Sequence, residues 1–415
     1  MTGRGSGTGR RKRARKRAAG CALVLCLLLP GCSAHSGTAA SDSADRAIGR
    51  TLDRRAAAVT GHDENGYLSV VDPRAKGLRT AQRTEFRNLA AVPLSSWQYR
   101  LGKVRRTGAT ATAQVELRYR ITGYDSAPVA DRRTIELVER GGRWYVDGDS
   151  PATGAGQQLW QQGPVHVARG AHSLVLGVGG SAGLLRRVAA VADRAVPAVG
   201  KAWHRKWAGR VVVLVPSSLD AMGALLGSPA DTYRGIAAVT TGEAGGAGAA
   251  PADRIIVNPE AYGGLSELGR QVILTHETTH VATRTATSPA TPLWLSEGFA
   301  DYVAYRDTGS SPQETAPELQ RAVRSGSLPA TLPTDADFGF RDSADRLARA
   351  YEGGWLACRL IAEHWGEQKL TDFYRAVGAS GQRDGGVEKA MNDVLGTDPD
   401  AFTARWRDYL RAQLD

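Results

Sequence analysis

His276-Glu277-Thr278-Thr279-His280, followed by Leu293-Trp294-Leu295-Ser296-Glu297-Gly298-Phe299-Ala300-Asp301, is the stretch from which the rest of the chain is read. Two histidines four apart on a helix lie one turn above each other, so both imidazoles reach a single cation. Glu277 sits one step round the same helix, within reach of a water held by that cation. Glu297 completes three protein ligands and leaves a fourth position open, as in a catalytic rather than a structural zinc site. The flanking residues agree. Leu268, Val272, His276 and His280 step by four and extend a core-facing stripe. Ile273, Leu274, Thr275, Thr278, Thr279, Val281 and Ala282 are uncharged, as a buried metal-binding helix requires.

The same spacing also serves two core histidines beside an exposed glutamate, and the next helix weighs against that reading. Thr291-Pro292 marks its start. Glu297 and Asp301 lie one turn apart on an otherwise apolar helix with Leu293, Phe299 and Val303. Buried alone, they would repel each other. A dication between them and the imidazoles removes that difficulty. Asp301 then accepts a hydrogen bond from the outer nitrogen of His276 and fixes its tautomer; a solvated helix acid is the other reading of Asp301. Leu347, Tyr351, Trp355 and Cys358 share one helical face, which leaves a plain core role open for Tyr351. His364 reads as structural, and His35, His62, His166, His172 and His204 show no ligand spacing.

The ends of the chain change the meaning of its composition. Arg10 to Arg17 is basic, and an apolar run from Cys21 to Pro30 follows, too short to span a bilayer and typical of a signal-peptide core. The run ends in Leu29-Pro30-Gly31-Cys32, which resembles the bacterial lipoprotein cleavage box and implies lipidation at Cys32. Acyl chains there would anchor the protein at roughly 0.8 kcal/mol per buried methylene, on the extracytoplasmic face of the bacterial cell membrane. The formal net charge is +11, yet residues 1–31 hold eight basic side chains and no acidic one. The mature chain is therefore near neutral, and charge gives a nucleic-acid partner no support. With Cys21 and Cys26 in the signal and Cys32 the lipid site, only Cys358 remains, so no intrachain disulfide is expected.

The expected organisation is a signal peptide over 1–31, a flexible tether over 32–44, an α+β domain over 45–150, a linker over 151–165 and a metal domain over 166–415. Ile48, Leu52, Ala56 and Val59 keep helical spacing, as do Leu78, Phe86 and Leu89 more loosely. Strict alternation follows over Ala111, Ala113, Val115, Leu117, Tyr119 and Ile121, and Ile135 to Val146 reads as a hairpin turning at Gly141-Gly142. Helices followed by an antiparallel meander make an α+β domain, which resembles the cystatin-like fold of the nuclear-transport-factor-two superfamily. A pocket, a spacer and a substrate-docking module are all open for it. Beyond the linker, strands are expected near Leu174 to Leu176, Val211 to Val215, Ile236 to Thr240 and Ile255 to Val257, with a loop over Gly242 to Ala250. From Leu265 onward the chain is essentially helical. The expected fold there is a small mixed sheet with a mostly helical C-terminal part.

Residues 272–306 resemble the active-site region of the membrane alanyl aminopeptidase family, and more closely the bacterial peptidase MA-like domains related to it. The Glu-x-x-x-Asp continuation at Glu297 and Asp301 also resembles thermolysin. The resemblance implies a gluzincin zinc metallopeptidase in which His276, His280 and Glu297 bind one zinc ion, Glu277 is the general base, and the substrate is a peptide or protein. Tyr351-Glu352-Gly353-Gly354 resembles the aminopeptidase Tyr-x-Lys-Gly segment, which implies that Tyr351 hydrogen-bonds the oxyanion, although Gly353 replaces the lysine. A metzincin pattern is excluded, because Thr283 and Ala286 stand where it needs Gly and His. The loop between His280 and Glu297 is shorter than in the aminopeptidases. Their Gly-x-Met-Glu-Asn segment, which grips a free amine, is absent, so exopeptidase action is not implied. The strand Arg254 to Asn258 is expected to lie along the cleft and pair with an extended substrate. The competing reading is a non-catalytic surface lipoprotein with a ligand- or protein-binding N-terminal domain and a structural zinc domain.

Overall fold

The computed structural model describes residues 36–241, 252–339 and 343–415 of the chain. The stretch read as a signal peptide, Cys32, the start of the stretch read as a tether and the expected Gly242 to Ala250 loop lie outside the described residues. Two compact units divide at Ala44 and Asp45. Helix α1 (Ser36–Thr60) begins inside the stretch read as a tether, and the remaining elements belong to the second unit. Among the described residues no helix is long and apolar enough to cross a membrane.

Helices α2 (Glu64–Ser69) and α3 (Lys76–Leu89) precede a four-stranded antiparallel meander. Its strands β1 (Leu94–Thr107), β2 (Thr110–Ile121), β3 (Val129–Arg140) and β4 (Arg143–Pro151) pair in sequence order. The period-two pattern of β2 buries Ala111, Ala113, Val115, Leu117, Tyr119 and Ile121 on one face. The segment 151–165 is no free spacer. It carries the one-turn helix α4 (Leu159–Gln162), and Leu159 and Trp160 are buried in it. The Trp160 ring lies 5.5 Å from Trp97 and 5.2 Å from Tyr119. Two apolar residues among glycines and glutamines are too few to show a period, which is why the sequence reads there as linker.

Strands β5 (His166–Arg169), β6 (Ser173–Gly177), β7 (Val211–Val215), β8 (Ala238–Thr241) and β9 (Arg254–Val257) form a mixed sheet in the order β5-β6-β7-β9-β8. The middle strands β6, β7 and β9 run parallel, and the two edge strands are antiparallel to their neighbours. Helix α5 (Ala182–Trp203), capped by Ser181, makes the crossover between β6 and β7. Leu174, Leu176 and Val212 of this sheet share one buried cluster with Ala56, Leu68, Trp97, Leu117 and Trp160. The meander and the mixed sheet therefore have a common core.

Short helices α6 (Leu219–Leu226) and α7 (Pro259–Gly264) flank the sheet. The helical part follows: α8 (Glu267–Thr283), α9 (Leu293–Tyr305), α10 (Pro312–Thr315), α11 (Pro317–Arg324), α12 (Ala344–Trp365), α13 (Glu367–Ala379), α14 (Gly386–Ala390) and α15 (Pro399–Leu414). Its core gathers Leu295, Phe299, Leu356, Cys358, Ile361, Phe373, Phe402 and Trp406. Two departures are local. Leu268 is 47% exposed, so the buried stripe of α8 starts at Val272 instead. Helix α9 begins one residue later than Thr291-Pro292 suggests, with Pro292 in the capping position.

Helices α9 and α12 touch backbone to backbone. A Cβ added at Gly298 would lie 2.3 Å from the carbonyl carbon and oxygen of Gly354, and one at Gly354 would lie 2.6 Å from the Trp294 carbonyl oxygen. The absence of side chains there lets the helices cross without a gap. Gly298→Ala should therefore cost about 1–3 kcal/mol by overpacking. Gly263→Ala, in open space, should stay within about 0.5 kcal/mol. Equal denaturant midpoints for the two variants would contradict the close crossing.

Candidate metal centre and catalytic cleft

The facing sides of α8, α9 and α12, with the β8 edge, enclose a cleft of about 1120 Å³. Helix α8 starts where the Ser266 hydroxyl accepts the Gly269 N–H and runs inward, so His276 and His280 project from its buried side. The Nε2 atoms of His276 and His280 are 3.1 Å apart. Glu297 Oε2, from α9, lies 3.2 Å from the first and 3.4 Å from the second. Among the described residues these three are the group of His, Cys and acidic side chains placed to share one ion.

The donor set fits a zinc ion. Bonds of roughly 2.0–2.1 Å in a tetrahedral site put neighbouring donors about 3.3 Å apart, and the three separations bracket that value. Asp301 Oδ1 lies 2.8 Å from His276 Nδ1. A proton held on Nδ1 for that carboxylate leaves the Nε2 lone pair free for a cation. The neighbouring charges also set the ionisation of these groups. Burial works against the charged form of His276, yet Asp301 and Glu297 hold its pKa well above the ordinary histidine range. Burial would likewise raise the Glu297 carboxyl, but His280 and His276 hold it far below the usual carboxylate range.

Glu277 stands beside this cluster with its carboxylate fixed from the sheet. The Thr240 hydroxyl lies 2.6 Å from Glu277 Oε2 and 3.1 Å from the Glu277 carbonyl oxygen. Tyr351, from α12, lines the cleft with its ring 6.4 Å from that of His276 and 5.2 Å from Phe338. Burial first, then the carboxylates of Glu297, Asp301 and Glu277, push its phenol pKa well above the ordinary value. Its O–H therefore stays protonated and able to donate.

Three positions stand apart from the sequence reading. Strand β9, expected along the cleft, is interior: Ile255 and Ile256 pair with β7 on one side and with β8 on the other. It has no free edge for a substrate. The cleft is lined instead by Ile236 to Thr240, on and before β8, the strand at the sheet margin. Thr240 itself carries no sequence signal, being one threonine in a four-residue strand. Arg284 was legible in principle. It follows His280 by four, lines the cleft, and places Nε 3.1 and 3.2 Å from the two oxygens of buried Asp253.

No protein-family model matches this chain, and no curated protein does. Solved structures with partial likeness include M1 zinc metallopeptidases. One from Deinococcus radiodurans is 17% identical at a TM-score of 0.34, over 74% of this chain and 61% of that one. A variant of the Deinococcus radiodurans protein bound to a Tyr-Ser-Ala substrate is 15% identical at the same TM-score, with the same coverage. A two-domain M1 zinc metallopeptidase variant bound to L-arginine is 15% identical at 0.34, over 67% of this chain and 58% of that one. This chain thus spans about three-fifths of the neighbours' length. Likeness at that level carries no argument about individual residues, whose roles rest on the distances above.

Asp301→Asn should weaken zinc binding about 10–100-fold by loosening the His276 ring. Competition against a chromogenic chelator measures this, and parental affinity in the variant would remove Asp301 from the site.

Proposed function

We propose that this chain is a membrane-anchored, extracytoplasmic zinc peptidase. The observation that carries the reading is the convergence of His276, His280 and Glu297 on one point, with the Glu277 carboxylate fixed beside it. Three ligands leave a coordination position open. A zinc ion held there supplies a water acidified to a pKa of about 7 and polarises a peptide carbonyl.

The chain's own residues do the rest. Glu277 takes the proton of the attacking water and returns it to the departing amine, as a general base and then acid. The Thr240 hydroxyl occupies Oε2 and so presents the other carboxylate oxygen to the water. Tyr351 donates its O–H to the oxygen that gains charge; losing one such donor typically costs about 2.7–4 kcal/mol of barrier. The outer edge of β8 receives an extended peptide as an added strand. The meander and its helices support a cystatin-like layer of the nuclear-transport-factor-two type.

Anchoring rests on Leu29-Pro30-Gly31-Cys32 after an apolar run. Cys32→Ser should move the protein out of the membrane pellet on fractionation without detergent; a variant that stays in the pellet would overturn lipidation.

Glu277→Gln should abolish cleavage of a random peptide pool yet bind zinc as the parent does, and dialysis against a chelator should silence the parent. A variant as fast as the parent would refute the mechanism. Zinc binding by a parent that cleaves nothing would favour the non-catalytic binding module.

A further inference from the structure

We propose that Arg284 is a specificity residue that receives a carboxylate of the substrate peptide on the His280 side of the scissile bond. The proposal rests on the peptidase reading but on separate atoms. Arg284 follows His280 by four, so it rises from the same side of the helical turn, about 6 Å further on. It lines the cleft, and its side chain is only 11% exposed.

How it is held is the informative part. Asp253, 2% exposed, engages Arg284 through Nε alone. Neither Nη1 nor Nη2 of Arg284 has a protein acceptor among the described residues. The adjacent residue shows what neutralisation alone looks like: Arg254 gives both Nη1 and Nη2 to Asp125, at 2.8 and 2.7 Å. The fork of Arg254 is thereby used up, whereas that of Arg284 is not. Arg284 lines the cleft with Nε held by Asp253, which leaves its Nη1 and Nη2 donors for an acceptor other than that acid. Burial pushes Asp253 up to about 6, while the Arg284 guanidinium favours its charged form.

Arg383, the other arginine lining the cleft among the described residues, is already occupied by Asp335 and by the Thr291 carbonyl oxygen. The ligand that matches the free fork is a planar carboxylate bound through both oxygens. A peptide offers one on an acidic side chain or at its free C-terminus.

The test uses the zinc-loaded full chain and one peptide backbone. Glu, Gln or Lys is placed in turn at each position beside the scissile bond, every peptide being made with a free and an amidated C-terminus. The parent should favour the carboxylate-bearing member by about tenfold or more in kcat/KM. A preference for Glu at one position identifies the side chain as the source, and a preference for free acid over amide identifies the terminus. In Arg284→Met that ratio should fall to near one, and Arg284→Lys should keep part of it. Because Arg284→Met strands Asp253, the Asp253→Asn, Arg284→Met double variant repeats the measurement without a buried lone charge. A parent indifferent to the carboxylate, or variants with the parental ratio, would overturn the proposal. If the parent cleaves no peptide, the peptidase reading fails. Calorimetric binding of the Glu and Gln peptides then decides Arg284 separately. Tighter binding of the Glu peptide, lost in Arg284→Met, supports the proposal, and equal binding overturns it.

Discussion

Four ionisable side chains, His276, His280, Glu297 and Asp301, meet between two helices whose other buried residues, Glu277 apart, are apolar or hydroxylic, and this electrostatic constraint shapes what surrounds them. A buried ion without a partner costs several kcal/mol. The chain meets that cost by alternation: Asp301 faces the outer nitrogen of His276, whose inner nitrogen faces Glu297 and His280. A single proton can bridge two of the three inner donors but leaves the third unmatched. A dication satisfies all three at once, and separations of 3.1–3.4 Å suit one ion at their centre.

Such a cluster holds its geometry only if the helices beneath it cannot slide. Gly298 and Gly354 fix the crossing of α9 and α12, each adjacent in sequence to working parts of the cleft: Gly298 follows Glu297, and Gly354 lies three residues from Tyr351. Glu352 ties α12 to α11 by accepting the N–H groups of Leu319 and Glu318 at 2.6 and 3.1 Å. Burial outweighs those bonds and pushes its pKa up to about 7. The remaining wall comes from the sheet, where Thr240 reaches across to Glu277. The base is thus oriented by an element remote in sequence from the helix that carries it.

What could be read from sequence follows from the range of the interactions. The α+β class, the alternation of β2 and the i, i+4 pairing on α8 are local, and periodicity exposes them directly. The relation of Asp301 to His276 was legible because two acids on an apolar helix pose an electrostatic problem with few solutions. Strand order was not. Nothing in Arg254 to Val257 tells whether that strand is an edge or lies between β7 and β8, because a short apolar run suits both. Thr240 and Trp160 escaped for a related reason. Each acts through a contact distant in sequence, from a segment too short to show a period.

The same distance-blindness concealed how the meander bears on the cleft. Asp125, in the turn between β2 and β3, takes the fork of Arg254 and also accepts the Ile121 N–H at 2.6 Å. Arg254 adjoins Asp253, and Asp253 holds Arg284 in the cleft wall. Removing one member of a buried ion pair typically costs 3–5 kcal/mol, because its partner is left charged and dry. A layer that supplies Asp125 and shares a core with β6 and β7 cannot be a bead hung on a spacer. Its carboxylate fixes the start of β9, and β9 fixes the acid that aims Arg284. The meander therefore belongs to the scaffold of the cleft, whatever else its outer surface binds.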